Sequence, residues 1–115
     1  MQTLTARTIK AKSHLQTKKL FCGLFVGSRG VTNRIRIISA LRKRPNNRNQ
    51  LATELSIEYK AIQHHLIVLE KNNLVITTGN RYGLTYNVSA LFENNKIIFD
   101  EIADRLKNHK PSYYI

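Results

Sequence analysis

The first fifty residues contain no aspartate or glutamate, yet they hold 12 of the 19 lysines and arginines. Residues 51–115 carry the other 7 basic residues and all 7 acidic ones, so the formal charge of +12 belongs to one half of the chain. That imbalance argues against a generally basic protein and for a polyanionic partner, nucleic acid ahead of an anionic membrane surface. Cysteine is nearly absent as well. The single Cys22 excludes an internal disulfide and fits a reducing cytoplasm. Set in a phenylalanine-rich stripe, it reads as small apolar packing rather than as a nucleophile, which would need a base and an electropositive pocket. Long apolar runs are missing: Leu20 to Val26 is the longest, far short of the ~20 residues a membrane span needs. Basic residues precede it as in a signal peptide, but Gly27-Ser28-Arg29-Gly30 is a poor cleavage site. No glycine-rich phosphate loop, no Ser-His-Asp order and no paired carboxylates in an apolar setting occur. Neither an enzyme nor a cofactor is expected. At 115 residues the chain makes one domain with a modest core.

What is present is organised around residues 47–73. Asn47 and Gln50 stand three apart, as a capping box requires, and Leu51, Ala52 and Leu55 share one side of a short helix. After a break at Leu55-Ser56-Ile57, a longer helix runs from near Glu58 to Lys71. Steps of about 100° gather Ile62, His65, Leu66 and Leu69 on one side. Lys60, Gln63, His64, Ile67 and Lys71 lie opposite, with Tyr59 at the edge. A short helix packed across a longer one that offers donors outward is a helix-turn-helix, and its second helix suits a DNA major groove. Two ordinary packed helices with a solvated face would read the same from this stretch alone.

The continuation favours the first reading. Leu74–Thr77 is β-branched, Leu84–Val88 alternates apolar and polar, and the turn cluster 78–83 joins them. This antiparallel hairpin is a wing, with Arg81 at the tip where a phosphate backbone or a minor groove would meet it. Upstream, residues 1–14 read as a flexible basic arm, with partial helix left open, and a helix from about Leu15 to Val26 carries Leu20, Phe21, Leu24 and Phe25. Another from Thr32 to Lys43 buries Ile37, Ile38 and Leu41 and is stopped by Pro45. Downstream, Ser89 caps one helix reaching about Asn108, with Leu91, Phe92, Ile98, Phe99, Ile102, Ala103 and Leu106 on one side; residues 109–115 form a tail. The predicted class is mainly α with a small β-hairpin, a winged helix-turn-helix over 15–108 with extra N- and C-terminal helices. So small a domain has little core left to cover both terminal stripes. Phe21, Phe25, Phe99, Ile102 and Leu106 are therefore expected at a two-fold interface between subunits.

For DNA contact the candidates are Tyr59, Lys60, Gln63, His64, Lys71, Arg48 and Arg81. Gln63 matches adenine N6 and N7, and Lys60 matches guanine O6 and N7. His64 and His65 point about 100° apart on a helix, so they do not chelate one metal ion, and no metal is expected. His65 is expected packed in the core with one hydrogen-bond partner. Ile67, alone among polar neighbours, is expected to be covered by a neighbouring arm or subunit rather than by a thymine methyl.

Arg34-x-x-Ile37-Ile38-x-x-Leu41, Asn49-Gln50-Leu51-Ala52-x-Glu54-Leu55 and Tyr59-Lys60-x-Ile62-x-His64-His65-Leu66-x-x-Leu69 resemble the ArsR-like winged-helix regulators of archaea. So do Asn72-x-Leu74-Val75, Tyr82-Gly83-x-Thr85-Tyr86-x-x-Ser89 and Gly27-Ser28-Arg29-Gly30. The resemblance covers roughly residues 24–106. It implies a dimeric transcription factor whose reader is the helix carrying Tyr59 to His64 and whose terminal helices form the dimer surface. Metal-sensing members carry a cysteine pair in the reader helix or ligands in the last helix. Here the reader has no cysteine and the last helix has only Asp100, Glu101, Asp104 and His109, so the resemblance does not extend to metal sensing. The expected partners are double-stranded DNA and a second copy of the chain. RNA binding through the basic half is an alternative, though few exposed aromatics are available for stacking. A protein–protein module is another, and the polar Lys60-Gln63-His64 face tells against it.

Overall fold

In the computed structural model, residues 6–26, 30–80 and 83–108 are described. The elements run α1 (Ala6–Phe25), α2 (Val31–Lys43), α3 (Arg48–Leu55), α4 (Tyr59–Lys71), β1 (Val75–Thr78), β2 (Thr85–Val88), α5 (Ala90–Asn94) and α6 (Lys96–Asn108). This is a winged helix-turn-helix. The capping box forms: Gln50 N–H donates to Asn47 Oδ1 at 2.7 Å and Asn47 N–H to Gln50 Oε1 at 2.8 Å. Both amides belong to the first turn, where no intrahelical acceptor exists. Ser56 turns the chain with φ 53°, and Asn73 ends α4 in the same left-handed region with φ 64°. Serine and asparagine do this at modest cost because their side chains are short and polar.

The hairpin pairs antiparallel, Val75 with Val88 through Thr78 with Thr85. Gly79, at φ 107°, faces the Gly83 carbonyl so closely that a Cβ would lie 2.1 Å from its oxygen, so this turn accepts only glycine. On the other side of β2, Asn46 exchanges both backbone hydrogen bonds with Tyr86, at 2.8 and 3.2 Å. The wing is thereby tied to the segment that leads into α3.

Two corrections concern the ends. α1 reaches back to Ala6, into the segment read as an arm, and the tail 109–115 lies outside the described residues. The C-terminal helix is two helices, broken at Asn95, whose backbone leaves the helical region while its side-chain amide donates to the Leu91 carbonyl at 2.8 Å. Ser89 caps the first of them, accepting from Phe92 N–H, and donates to the Asn73 carbonyl at 2.6 Å.

A third correction concerns the dimer surface. Phe21, Phe25, Phe99 and Ile102 are buried inside one subunit, at 0–7 % exposure. α1 crosses α6 so that the rings of Phe21, Phe25, Phe92 and Phe99 pack together, with centroids 5.1–6.1 Å apart in edge and stacked contacts. Each ring so covered contributes about 1.5–3 kcal/mol of apolar burial. The two stripes satisfy each other, because the break at Asn95 brings α5 and α6 across α1. Of the five residues, Leu106 alone stays open, at 45 %.

Candidate nucleic-acid interface

α4 divides its side chains cleanly. Ile62, Leu66 and Leu69 are fully buried and His65 nearly so. Lys60, His64, Ile67 and Lys71 are exposed, Gln63 is half-buried and Tyr59 is 42 % exposed. The outward set is the expected one, and it forms a continuous stripe of donors broken only by Ile67, at 50 % exposure. Among the described residues, none supplies the cover expected over Ile67.

Two networks hold the helix in place. His65 accepts a hydrogen bond at Nδ1 from Arg34 Nε at 3.2 Å, and Arg34 also donates to the Leu24 carbonyl at the end of α1. Burial, the Arg34 charge and His64 together push the His65 pKa down, so it works as a neutral acceptor. Gly30, at φ +84°, sits against the same ring; a Cβ there would come within 3.0 Å of His65 Cε1. At the other end, Arg48 Nε donates to the Tyr86 hydroxyl at 2.9 Å with the guanidinium 5.6 Å from the ring centroid. Burial works against the charge on Arg48. Hydrogen bonds with Tyr59 and Tyr86 outweigh it and raise the pKa above the ordinary arginine value. Arg48 thus links the first turn of α3, the first turn of α4 and the wing. Around it lies a concavity of about 300 Å³ lined by Asn47, Arg48, Asn49, Tyr59, Gly83, Leu84 and Tyr86.

Lining an open concavity beside α4, Arg48 has protein partners of its own. The same holds for much of the basic half. Arg42 pairs with Asp100 at 2.6 Å and lies over the Phe92 and Phe99 rings, Arg44 approaches Glu54, and Arg36 donates to the Leu55 carbonyl. The charge imbalance that pointed to a polyanion is in part structural, because the arginines of α2 fasten neighbouring elements. Of the remaining sequence-derived contacts, Tyr59, Lys60, Gln63, His64 and Lys71 share one surface, and Arg81 lies outside the described residues.

Residues 32–77 match the family model described as bacterial regulatory protein, arsR family. Sequence comparison with curated proteins gave no match. Similar solved structures include the transcriptional regulator HlyU from Vibrio vulnificus, 16 % identical, with TM-score 0.58 over 89 % of this chain and 98 % of that one. A homodimeric winged helix-turn-helix DNA-binding domain from Mycobacterium bovis, a possible ArsR-family regulator, is 14 % identical, with TM-score 0.61 over 96 % and 94 %. The transcriptional repressor BigR from Xylella fastidiosa is 14 % identical, with TM-score 0.60 over 92 % and 97 %. At these identities the likeness is one of fold. No helix among the described residues is long and apolar enough to cross a membrane. Fold and family match converge on the same segment: residues 32–77, which match the arsR-family model, hold the helix-turn-helix of a winged-helix chain.

Proposed function

We propose that the chain is a homodimeric transcriptional regulator that binds specific double-stranded DNA, with α4 in the major groove and the wing against the backbone or minor groove. The observation that carries this reading is the open stripe Lys60, Gln63, His64 and Lys71 on the second helix of an arsR-family domain. A helix of this size fits the major groove, and a lysine and a glutamine offer donors suited to base edges. Arg48 acts by positioning Tyr59 and the wing, and Arg81 supplies a backbone contact. The test is selection of bound sequences from a random duplex pool with structured RNA as competitor. A palindromic consensus, resistant to the RNA, is expected; enrichment lost to the RNA would overturn the reading.

A second copy has a surface other than the aromatic crossing. Leu15 on the outer side of α1, Val26 just past its end, and Ile97 and Leu106 on α6 are 42–69 % exposed. Lys18 and Lys19 flank the first pair, and Glu101 lies on the same helix as the second, which gives a two-fold pairing opposite charges to match. The homodimeric state of the Mycobacterium bovis domain supports this. Ile97→Glu together with Leu15→Glu should yield a folded monomer in sedimentation, whereas an unaltered dimer would reassign the interface.

A further inference from the structure

We infer that Ile67 reads a base: its side chain packs on the C5 methyl of a thymine, about three base pairs along the groove from the pair met by Lys60. The inference rests on the DNA-reading role of α4 and adds to it a specific preference. Single exposed apolar residues are common on protein surfaces, so exposure alone says little. The surroundings are what decide. On the helix surface the neighbours of Ile67 at three and four positions either way are Gln63, His64, Glu70 and Lys71, none of them apolar. A protein partner covers a patch, usually around an aromatic or aliphatic anchor with apolar surroundings, and among the described residues no such patch surrounds Ile67. Nor does the core need Ile67, since Ile62, Leu66 and Leu69 already fill the inner face at 0 % exposure.

A half-exposed isoleucine within a stripe of hydrogen-bonding side chains matches a surface of the same mixed character. The major groove is one: its base edges are donors and acceptors, interrupted only by the thymine methyl. Geometry agrees with this. Ile67 stands two helical turns beyond Lys60, about 10 Å along the axis, which is roughly three base-pair steps for a helix lying along the groove. Being β-branched in a helix, it holds essentially one χ1 rotamer and loses little entropy when it meets the methyl.

The experiment uses the full chain and the duplex obtained by selection. Each thymine of that duplex is replaced in turn by deoxyuridine, which removes the methyl and keeps every hydrogen bond. At one thymine in each half-site, binding should weaken about fourfold, the worth of one buried methyl group. Ile67→Ser should bind the thymine and deoxyuridine duplexes alike, and should lose the thymine preference at that position when selection is repeated. If the unaltered protein selects a clear consensus yet tolerates deoxyuridine at every thymine, the inference is wrong and the DNA-reading function stands. A shift of Ile67→Ser toward monomer in sedimentation without DNA would also overturn it, by showing a protein contact. Absence of any selected consensus would remove the function and this role together.

Discussion

The crossing of α1 with α5 and α6 and the outward stripe of α4 differ in nearly every physical respect. In the first, four phenylalanine rings lie at 0–2 % exposure with Arg42 fixed over two of them. In the second, Lys60, His64, Ile67 and Lys71 face solvent and contribute little to the core. The crossing buries apolar area and so supplies stability. The stripe gives folding almost nothing, so its composition answers to whatever it touches. Side-chain changes in the two regions should then fall on different observables.

The largest effect is expected at the crossing. Phe99→Ala should lower the unfolding free energy by about 3–5 kcal/mol. Chemical denaturation should show the same loss at low and high protein concentration. A loss that shrinks as concentration falls would return Phe99 to a subunit interface and blur the contrast. A smaller effect tests the junction between the regions. Tyr86→Phe removes the oxygen that accepts from Arg48 and should cost about 1 kcal/mol. In a double-mutant cycle, Arg48→Met should cost less beside Tyr86→Phe than in the unaltered chain, by the worth of the shared hydrogen bond. Fully additive losses would mean that the two side chains act independently.

The smallest effect is a pH dependence from the inner face of α4. His65 has a folded-state pKa below its ordinary value of 6.5. The stability it contributes as a neutral acceptor is fully present above that value, and is lost as pH falls through 6.5 toward the lower folded-state pKa. Denaturation between pH 7.5 and 5 should show stability declining, with less decline in His65→Gln. An identical decline in both would assign the titration elsewhere.

Local features were legible in the sequence, and the reason is physical. The capping box at Asn47 and Gln50, the turn at Ser56, the two faces of α4 and the hairpin each follow from spacings of a few residues. An amphipathic stripe is different: it states that a helix face must be covered, not by what. Phe21, Phe25, Phe99 and Ile102 read as interface for that reason, and the break at Asn95 that lets α5 and α6 reach α1 has only two asparagines to announce it. The positioning contacts were hidden in the same way. Arg34 meets His65 across 31 positions and Arg48 meets Tyr86 across 38, separations at which no periodic signal survives. Arg48 was legible as a basic residue beside the reader helix, but its link to Tyr86 and the wing was not.

Base reading by the outward face of α4 stands or falls with Gln63. Binding of the unaltered chain and of Gln63→Ala should be measured against the selected duplex and all its single-base variants. A loss of about 1–3 kcal/mol is expected, confined to one base pair of each half-site, where the preference for adenine disappears. An equal loss on every variant, with the preference for adenine intact, would contradict it and make α4 a helix that holds the backbone without reading the sequence.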